Sequence, residues 1–541
     1  MRRHWPIFAL LTIAAIAYLL YPSRIPECDA VIYASAALRG VREMTFYPGH
    51  LGYGPLENLS ASLGRWTRPP LNPLFILQYL SMAAALVAAW AFHRALEALG
   101  VGRARAVLFT AILAASYAWW HFALQAESHM LSTALLMIFL WQTCRTLAKL
   151  NARSWAWAGL WLGLATLIHQ KNILFAAAAL PALAVPARDF RRVLREEAAF
   201  FGTLAIVVIV PYLVVGVGVL GLRTSAELML WIRGLSTWSA WGHWSRATVP
   251  GVVVGLARSF VGSHFLLRVG PIHAAALRLF PRASFEDEFA IAASIPAGVG
   301  VALMILEVPL LALAGLALVR RIVRPGIPGP RGLPLSLFLW AWIAAVVIFA
   351  AWWAPVRAEF WIDLFPPVLV LLALLRAGAR DASAGSRLIA YVAVALALVN
   401  FIGSIRPQSM AALEPESSVA LALDAAVKPG DIVISDSPFT GRASRYARTF
   451  EPVDLMGAEC ALGDAAEPAR VRLVDSILVG AERAHRSAYL AVTPLGTADS
   501  ARAAYRRATA SLAEHFETGE RIAIRAGLDL RRLRRRAPAE R

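Results

Sequence analysis

The sequence predicts an α-helical polytopic membrane protein with a small α/β domain at its C-terminal end. Of the 541 residues, 58% are hydrophobic and the mean hydropathy is +0.58, which exceeds what soluble domains usually show. The apolar residues gather into about eleven runs that approach the length needed to cross a bilayer. Beyond residue 404 the pattern changes to alternating helices and strands, which indicates a separate α/β unit.

The first apolar run starts almost at the N-terminus. Its sequence, "MRRHWPIFALLTIAAIAYLLYP", has the basic start and apolar centre of a signal peptide, but no small-x-small cleavage motif follows. We therefore interpret this run, at about 5–21, as an uncleaved first span. The other runs lie at about 73–92, 106–123, 129–147, 155–169, 173–187, 199–220, 296–319, 334–352, 362–377 and 387–404, and the two at 155–169 and 173–187 could form one tight hairpin.

Lysine and arginine residues set the orientation of these spans. The connections at 1–4, 93–105, 145–153, 188–195, 320–331 and 376–387 together hold 19 of them, whereas the alternate turns at 124–128, 170–172 and 352–361 hold 2. Short cytoplasmic loops are the basic ones, so the N-terminus is expected inside and the C-terminus outside. The net charge of +18 then reflects membrane topology, and no nucleic-acid partner is expected.

Three segments on the outer side are too long to be simple connections. We expect a transmembrane domain at 1–404, with outer loops at 22–72 and 221–295, and an α/β domain at 405–541. In the tail, "DIVIS" is typical of a buried strand, and "RVRLVDSILVGAERAH" followed by "SAYLAVTP" repeats the order of helix and strand. The Ala- and Arg-rich composition suggests a bacterium with GC-rich DNA, in which the outer side is the periplasm.

The first outer loop places a carboxylate next to the membrane. Asp29 follows the first span closely, and Tyr33, Ala36, Ala37 and Gly40 come after it at helical spacing, which predicts a short helix along the membrane surface. Asp29 could simply cap that helix by accepting bonds from its first amides. The alternative is a catalytic base held at the boundary between membrane and water.

These residues resemble a known group of enzymes. An aspartate after the first span, followed by a helix of the form Y-x-x-A-A-L-x-G, is similar to the first outer loop of the GT-C glycosyltransferases, which include protein O-mannosyltransferases and lipid A aminoarabinose transferases. The resemblance covers about residues 5–380, and three further stretches agree with it. These are "AESHMLSTALLMIFLWQ" at 126–142, "GLWLGLATLIHQKNILFAAAALPALA" at 159–184 and "WWAPVRAEFWIDLFPPVLVLLALL" at 352–375.

The resemblance implies a GT-C-like fold and transfer of a sugar from a polyprenyl-phosphate donor, with inversion, on the outer face of the membrane. The sequence departs from the usual pattern in the first loop, where many members have an Asp-Glu doublet and this chain has Glu27, Cys28 and Asp29. The expected Pro-Pro-Leu region has two candidates, at 47–59 and 68–75. The second catalytic acid therefore stays open between Glu27 and Glu57.

Transfer from a lipid-linked phosphate makes three chemical demands. A base must take the proton of the acceptor hydroxyl; Asp29 is our candidate for it, and Glu57 is the other residue that we assign to catalysis. A cation must hold the departing phosphate, and the planar guanidinium of Arg357 suits phosphate oxygens, although Arg357 could merely pair with Glu359. An apolar groove must take the prenyl chain. Second choices for the phosphate are His169 and Lys171, although Lys171 could simply extend to the membrane interface.

Two further histidines and two acids are considered as metal ligands. His50 and His129 could bind a divalent metal together with Glu57 or Glu127, but no tight ligand spacing supports such a site. The three cysteines also lack metal-binding spacing. We therefore expect no cofactor, and assign His50 and Glu127, with Glu27, His169, Lys171, Arg357 and Glu359, to substrate binding.

The predicted function is glycosyl transfer from a polyprenyl-phosphate-linked sugar to a lipid, glycan or protein acceptor at the bacterial inner membrane. One alternative is a transporter or lipid flippase, which would place charges within its spans and contain paired broken helices. Another is a partner-binding membrane protein in which the α/β tail does the work. Acids in this sequence gather at the outer ends of the spans, which favours the enzyme.

Overall fold

The structure is a computed structural model of the whole chain, and part of that chain is described here. The described residues are 5–27, 29–30, 33–34, 45–67, 73–149, 151–184, 190–234, 242, 244–280, 286–323, 332–374, 382–410, 423, 425–428, 430–435, 451–454, 466–492, 515–524 and 528–536.

Helices dominate the first 410 residues. In chain order they are α1 (Trp5–Leu20), α2 (Gly54–Trp66), α3 (Pro73–Ala98), α4 (Arg103–Ala115), α5 (Tyr117–Ala123), α6 (Ser128–Lys149), α7 (Ala152–Ile168), α8 (Phe175–Ala184), α9 (Phe190–Leu213), α10 (Ser225–Arg233), α11 (Thr248–Phe260), α12 (Gly270–Leu279), α13 (Glu286–Ser294), α14 (Ala297–Val323), α15 (Gly332–Trp353), α16 (Phe365–Ala373) and α17 (Ala382–Asn400). Short 3₁₀ turns lie at Pro48–His50, Gln170–Leu174, His264–Arg268, Ala358–Phe360 and Ile362–Leu364, and π-helical turns at Val214–Val219 and Phe401–Ile405.

Each predicted apolar run coincides with a helix or a pair of helices, so the prediction of a polytopic helical protein is confirmed. Within the described chain, six helices are long and apolar enough to cross a membrane, or seven if α4 and α5, which meet at a 68° bend, form one span. Several of the other runs give shorter helices, such as α8 and α16 with 10 and 9 residues. A straight crossing takes about 20 residues, so the total of eleven spans stays a prediction.

Helices α7 and α9 approach each other closely through small residues. A Cβ atom added at Gly159 of α7 would lie 2.3 Å from the backbone oxygen of Phe200 in α9, and one at Gly163 would lie 2.7 Å from Val207. The two glycines are one helical turn apart, so they form the small-xxx-small face on which membrane helices commonly pack. This contact holds α7 against α9, and the candidate site lies at the C-terminal end of α7.

Irregular backbone in the helical domain is satisfied by one side chain. The Nδ2 of Asn400 donates to the carbonyl oxygens of Ala115 at 2.8 Å and Phe260 at 3.0 Å, which are the last residues of α4 and α11. Its Oδ1 accepts from the amide of Gly262 at 2.9 Å. Unpaired backbone groups are costly away from water, so Asn400 allows three chain breaks to meet inside the protein.

The described part of the tail contains helix and strand, as predicted for an α/β domain, and its strands form a five-stranded sheet. The strands are β1 (Ile432–Ser435), β2 (Glu451–Asp454), β3 (Ala488–Val492), β4 (Phe516–Ile524) and β5 (Leu528–Arg535), and the helix α18 (Ala466–Arg483) precedes β3. Their order across the sheet is β2-β1-β3-β5-β4, with β1 parallel to β2 and β3, and β5 antiparallel to β3 and β4. Apolar side chains of α18 pack on one face of the sheet and those around Leu423 and Val427 pack on the other.

The chain divides into two compact units. One comprises Met1–Ser23, Gly40–Leu279 and Asp287–Ser409, and the other comprises Arg24–Arg39, Phe280–Glu286 and Met410–Arg541. The division at residues 404 and 405 stays a prediction.

Adding a methyl group at the α7–α9 contact should separate the two helices. We expect Gly159→Ala to lower the melting temperature of the purified protein, at a cost of about 1–3 kcal/mol, because its Cβ would meet backbone rather than a side chain that can move aside. The matched control is Gly202→Ala on α9, where no atom lies within 4 Å of the added Cβ. Equal melting temperatures for the two variants in detergent would show that the close approach is not needed.

Candidate functional site

The tip of the hairpin between α7 and α8 is the centre of the candidate site. It forms the 3₁₀ turn Gln170–Leu174, directly after His169. Within this turn, the buried amide of Asn172 donates to the hydroxyl of Ser132 at 2.6 Å and to the carbonyl oxygen of Ala165 at 2.8 Å. Asn172 therefore fastens the tip to α6 and gives the neighbouring side chains a fixed position.

The first outer loop packs onto this tip. The amide of Gly52 donates to the carbonyl oxygen of Leu167 at 2.7 Å, and Nδ1 of His50 lies 3.1 Å from both the carbonyl oxygen of Ile168 and the hydroxyl of Ser128. A proton on Nδ1 can be donated to either oxygen. These contacts bring residues of the loop and of the hairpin, far apart in sequence, into one site.

Three imidazole rings meet here. The ring of His169 lies 4.5 Å from that of His50 and 5.1 Å from that of His129, measured between centroids. Burial lowers the pKa of His50 to about 4, and the charge of Lys171 adds to this effect. Burial also holds the pKa of His169 well below its usual range, with further contributions from His50 and Lys171. Both rings are therefore neutral at physiological pH and can donate and accept hydrogen bonds.

Two buried carboxyl groups lie on the same side of the site. Glu57, in the first turn of α2, is 2% exposed, and burial raises its pKa to about 8. Burial raises the pKa of the Tyr53 hydroxyl, and the carboxyl groups of Glu57 and Glu127 add to this effect. Oε2 of Glu127 lies 3.6 Å from Nε2 of His129. A carboxyl group with a pKa near 8 can take or give a proton close to neutral pH.

A buried ion pair joins the hairpin tip to the late outer loop. Nζ of Lys171 lies 3.0 Å from Oδ2 of Asp363, and the two side chains are 7% and 2% exposed. Oδ1 of Asp363 accepts from the hydroxyl of Thr133 at 2.9 Å, and Nε1 of Trp342 donates to the backbone oxygen of Asp363 at 2.9 Å. Lys171 is therefore held inside the protein by Asp363. It does not extend to the membrane interface, which was the alternative interpretation of this residue.

A small, partly open cavity lies beside this ion pair. Lys171 and Asp363 are its polar lining residues, and Nζ of Lys171 lies 5.3 Å from the ring centroid of Phe360. The other walls are apolar and come from the hairpin tip, the first residue of α8, α15 and the turn Ala358–Phe360. They are formed by Leu174, Phe175, Ala345, Val346, Phe349 and Phe360. An amine at the edge of an apolar cavity suits a ligand with an anionic head and a hydrocarbon chain.

The remaining candidate residues from the sequence are more exposed or belong to the second compact unit. Arg357 and Glu359 lie in the same late loop and pair with each other, with Nη1 and Oε1 3.5 Å apart, and the arginine side chain is 48% exposed. Asp29 is exposed and Glu27 is half-buried, and both belong to the second compact unit. Cys28 and most of the surface helix expected at 33–44 lie outside the described residues. The roles of Glu27, Asp29, Arg357 and Glu359 therefore stay predictions.

The described residues include no group of three or more His, Cys, Asp or Glu side chains placed to hold a metal ion. The four groups considered for that purpose, His50, His129, Glu57 and Glu127, instead contact backbone, Ser128, Tyr53 and one another.

Asp363 was not among the residues chosen from the sequence. It stands within "FWIDLFPP", where an isolated carboxylate interrupts an apolar stretch. Such a residue needs a buried partner, and that signal could have identified it. Its partner, Lys171, is 192 positions away, and sequence spacing gives no indication of this contact.

The Lys171–Asp363 pair should contribute strongly to stability because neither charge can reach water easily. We expect Asp363→Asn to cost about 3–5 kcal/mol, as is usual when one partner of a buried pair is removed. The double variant Lys171→Met/Asp363→Asn should recover most of this loss, since no buried charge is left alone. Melting temperatures in detergent test both changes.

The control for this experiment is Glu359→Gln, which breaks the more exposed pair with Arg357 and should cost about 0–1 kcal/mol. If Asp363→Asn and Glu359→Gln melt alike, Lys171 does not depend on Asp363.

Comparisons with known proteins support the predicted resemblance. Residues 70–215 match a family described as dolichyl-phosphate-mannose-protein mannosyltransferase. The structure of ArnT from Cupriavidus metallidurans bound to undecaprenyl phosphate superposes with a TM-score of 0.59 at 11% identity, covering 98% of this chain and 98% of that chain. The apo form of the same ArnT gives a TM-score of 0.57, again at 11% identity and 98% coverage of both chains.

An oligosaccharyltransferase from Archaeoglobus fulgidus, tethered with an acceptor peptide containing the NVT sequon, gives a TM-score of 0.50 at 12% identity, covering 99% of this chain and 74% of that chain. No curated protein matches the sequence. At these identities the comparisons concern the fold, and they confirm the GT-C-like architecture expected from the sequence: the chain shares the fold of ArnT over nearly its whole length.

Proposed function

We propose that this protein is an inverting glycosyltransferase that moves a sugar from a polyprenyl-phosphate donor to the hydroxyl group of an acceptor. The fold shared with ArnT, whose structure was solved with undecaprenyl phosphate, supports this proposal. So does the match of residues 70–215 to a mannosyltransferase family. The acceptor is a lipid, glycan or protein, and the reaction takes place at the outer face of a bacterial inner membrane.

The observation that carries the proposal is the apolar cavity next to Lys171. A polyprenyl phosphate combines a hydrocarbon chain with an anion, and the cavity offers aromatic and aliphatic walls together with one amine. In the proposed site the phosphate binds Lys171 and competes with Asp363 for it. The first prenyl units pack against the apolar residues that line the cavity. Arg357, paired with Glu359 in the same loop, supplies a second cation for the phosphate.

The proposed chemistry needs one group that takes a proton. Asp29 and Glu57 are the candidates, and burial prepares Glu57 for this task by raising its pKa to about 8. The neutral rings of His50 and His169, together with Glu127, are proposed to bind sugar hydroxyls, which both donate and accept hydrogen bonds. Glu27 stays a separate candidate for substrate binding. As the acceptor oxygen attacks the anomeric carbon, the bond to the phosphate breaks and the phosphate leaves on the prenyl chain.

Filling the cavity should block the donor. Val346 is 5% exposed and lines the cavity, so Val346→Trp should occupy the space of the prenyl chain. We expect this variant to lose binding of undecaprenyl phosphate by about tenfold or more, which corresponds to about 1.4 kcal/mol. Native mass spectrometry of the detergent-solubilised protein measures the bound lipid without knowledge of the sugar.

Ile348→Trp is the matched control for this variant. It lies on the same helix, α15, and its side chain is 61% exposed. Its lipid binding should equal that of the unchanged protein. Retention of undecaprenyl phosphate by a folded Val346→Trp variant would contradict the proposed site and favour a transporter or another activity.

The two candidate bases can be distinguished by pH. A base must be ionised, so if Glu57 acts, the transfer rate should rise with pH and level off above about 8. Glu57→Gln should then lower turnover by about 10²–10⁴-fold, while Asp29→Asn should have little effect. If Asp29 is the base, Asp29→Asn should lower turnover and Glu57→Gln should have little effect. The assay needs the donor sugar, which mass spectrometry of envelope glycans in a deletion strain identifies.

Stability gives a second measurement for Glu57. Its folded-state pKa of about 8 lies above the ordinary value of 4.5, so the folded protein keeps a proton that the unfolded chain releases. The stabilising effect is complete below pH 4.5 and is lost as the pH rises to about 8. Glu57→Gln should flatten this part of the melting profile, and an unchanged slope would show that the carboxyl group is not buried.

The proposed orientation can be tested with reporter fusions. With the N-terminus in the cytoplasm and the α/β domain in the periplasm, a reporter that is active only in the periplasm should be active after about residue 410 and inactive after about residue 150, because basic loops stay inside. The reverse pattern would place the chemistry on the cytoplasmic side.

A further inference from the structure

A second group of buried polar residues lies where three breaks in the helical domain meet. Ser263, just after α11, has φ of 48° and ψ of 18°, a left-handed conformation that residues other than glycine rarely adopt. Ser404 belongs to the π-helical turn Phe401–Ile405. Strained residues and π-turns both concentrate at functional sites, and here they are neighbours.

An acid of a candidate membrane span points into this group. Glu307 lies about 15 Å along α14 from its start at Ala297, taking 1.5 Å per residue. It shares the buried stripe of that helix with Leu303 and Leu310, while Ile305 and Val308 are exposed. Ser263 donates a short hydrogen bond to Oε1 of Glu307. An ionisable residue within a span is expensive and commonly has a function.

Two buried atoms of the group have no hydrogen-bond partner among the described residues. They are Oε2 of Glu307 and Nε2 of His264, and both side chains are more than nine-tenths buried. Nδ1 of His264 lies 2.7 Å from the hydroxyl of Ser404, so the second ring nitrogen is the free one. Because Ser263 and His264 are consecutive, the two atoms belong to the same part of the fold. Buried polar atoms of this kind need a partner.

We propose that His264 and Glu307 form a second binding site, which takes the hydroxyl group of a membrane lipid. When the imidazole proton is on Nε2, a hydroxyl group accepts a bond from Nε2 and donates one to Oε2 of Glu307. An ammonium group has no lone pair with which to accept the first bond. The carboxyl group lies within a candidate membrane span whose opposite face is apolar and exposed, so the ligand is sought among membrane lipids.

The second site adjoins the candidate site through α5. The ring of Phe122 contacts that of His121 at 4.8 Å and that of His129 at 5.3 Å. His121 in turn bonds Oε1 of Gln408 at 2.8 Å, on the side of the π-helical turn. If the proposed function holds, the hydroxylated lipid is the acceptor, bound on the other side of α5 from the donor phosphate. Binding itself does not depend on that function.

The test uses a diacylglycerol with a photoactivatable acyl chain and the full-length protein in nanodiscs. A second reagent carries a methyl ether in place of the hydroxyl group. Mass spectrometry of labelled peptides should show labelling of α14 and of the turn His264–Arg268 with the first reagent. Labelling should fall about tenfold with the second reagent, since the loss of one hydrogen bond is worth about that factor.

Two variants should reproduce this loss. Glu307→Leu continues the apolar stripe of α14, and His264→Phe keeps an aromatic ring, so either one suffices if the other fails to fold. The control is Glu196→Leu, which removes another buried acid, bonded to Arg192, from the candidate span that includes α9. The control should label like the unchanged protein.

Equal labelling by the two reagents, or undiminished labelling of a folded Glu307→Leu variant, would overturn the proposal. So would competition by phosphatidylethanolamine without competition by unlabelled diacylglycerol, since the site would then select an amine. Because the experiment measures no transfer, it can succeed or fail independently of the proposed enzyme activity.

Discussion

The ion pair between Lys171 and Asp363 connects the two segments on which the candidate site depends. One charge comes from the tip of the α7–α8 hairpin and the other from the loop before α16. In a poorly hydrated interior each charge would be costly alone, so the two segments must come together for either to be buried. The hydroxyl of Thr133 on α6 adds a third element to the same point. The pair thereby fixes the amine at the edge of the apolar cavity.

The cost of burying a polar group without a partner also explains how irregular backbone is arranged in the helical domain. A bend between α4 and α5, the end of α11 and a π-helical turn would each expose unpaired amides or carbonyls to an apolar environment. Asn400, directly before the π-helical turn, satisfies one such group at the end of α4 and two at the end of α11. The breaks can therefore gather at one place, and that place also contains Ser263, His264 and Glu307. Irregular helix ends and buried polar side chains therefore occur at the same place in the fold.

Two polar regions thus lie on either side of α5, and they differ in charge and in protonation. The region around the hairpin tip combines an amine with neutral imidazoles and with a carboxyl group whose pKa lies close to neutral pH. It suits an anion and a proton transfer. The region around Glu307 offers one carboxyl oxygen and one ring nitrogen that have no hydrogen-bond partner among the described residues, and it suits an uncharged hydroxyl group.

The sequence by itself determined the protein class, the positions of the apolar helices and the strands β1 and β3, because these depend on local patterns of hydrophobicity. It also identified Glu57, His169 and Lys171 as site candidates from their places in outer segments. Only the tertiary structure decided that Lys171 pairs with Asp363, that Asn400 joins three chain breaks and that Glu307 faces inwards. These features depend on contacts across 192, 285 and 44 positions. Burial, which also sets the pKa of Glu57, is a property of the packed molecule, and residue order along the chain does not encode it in any local pattern.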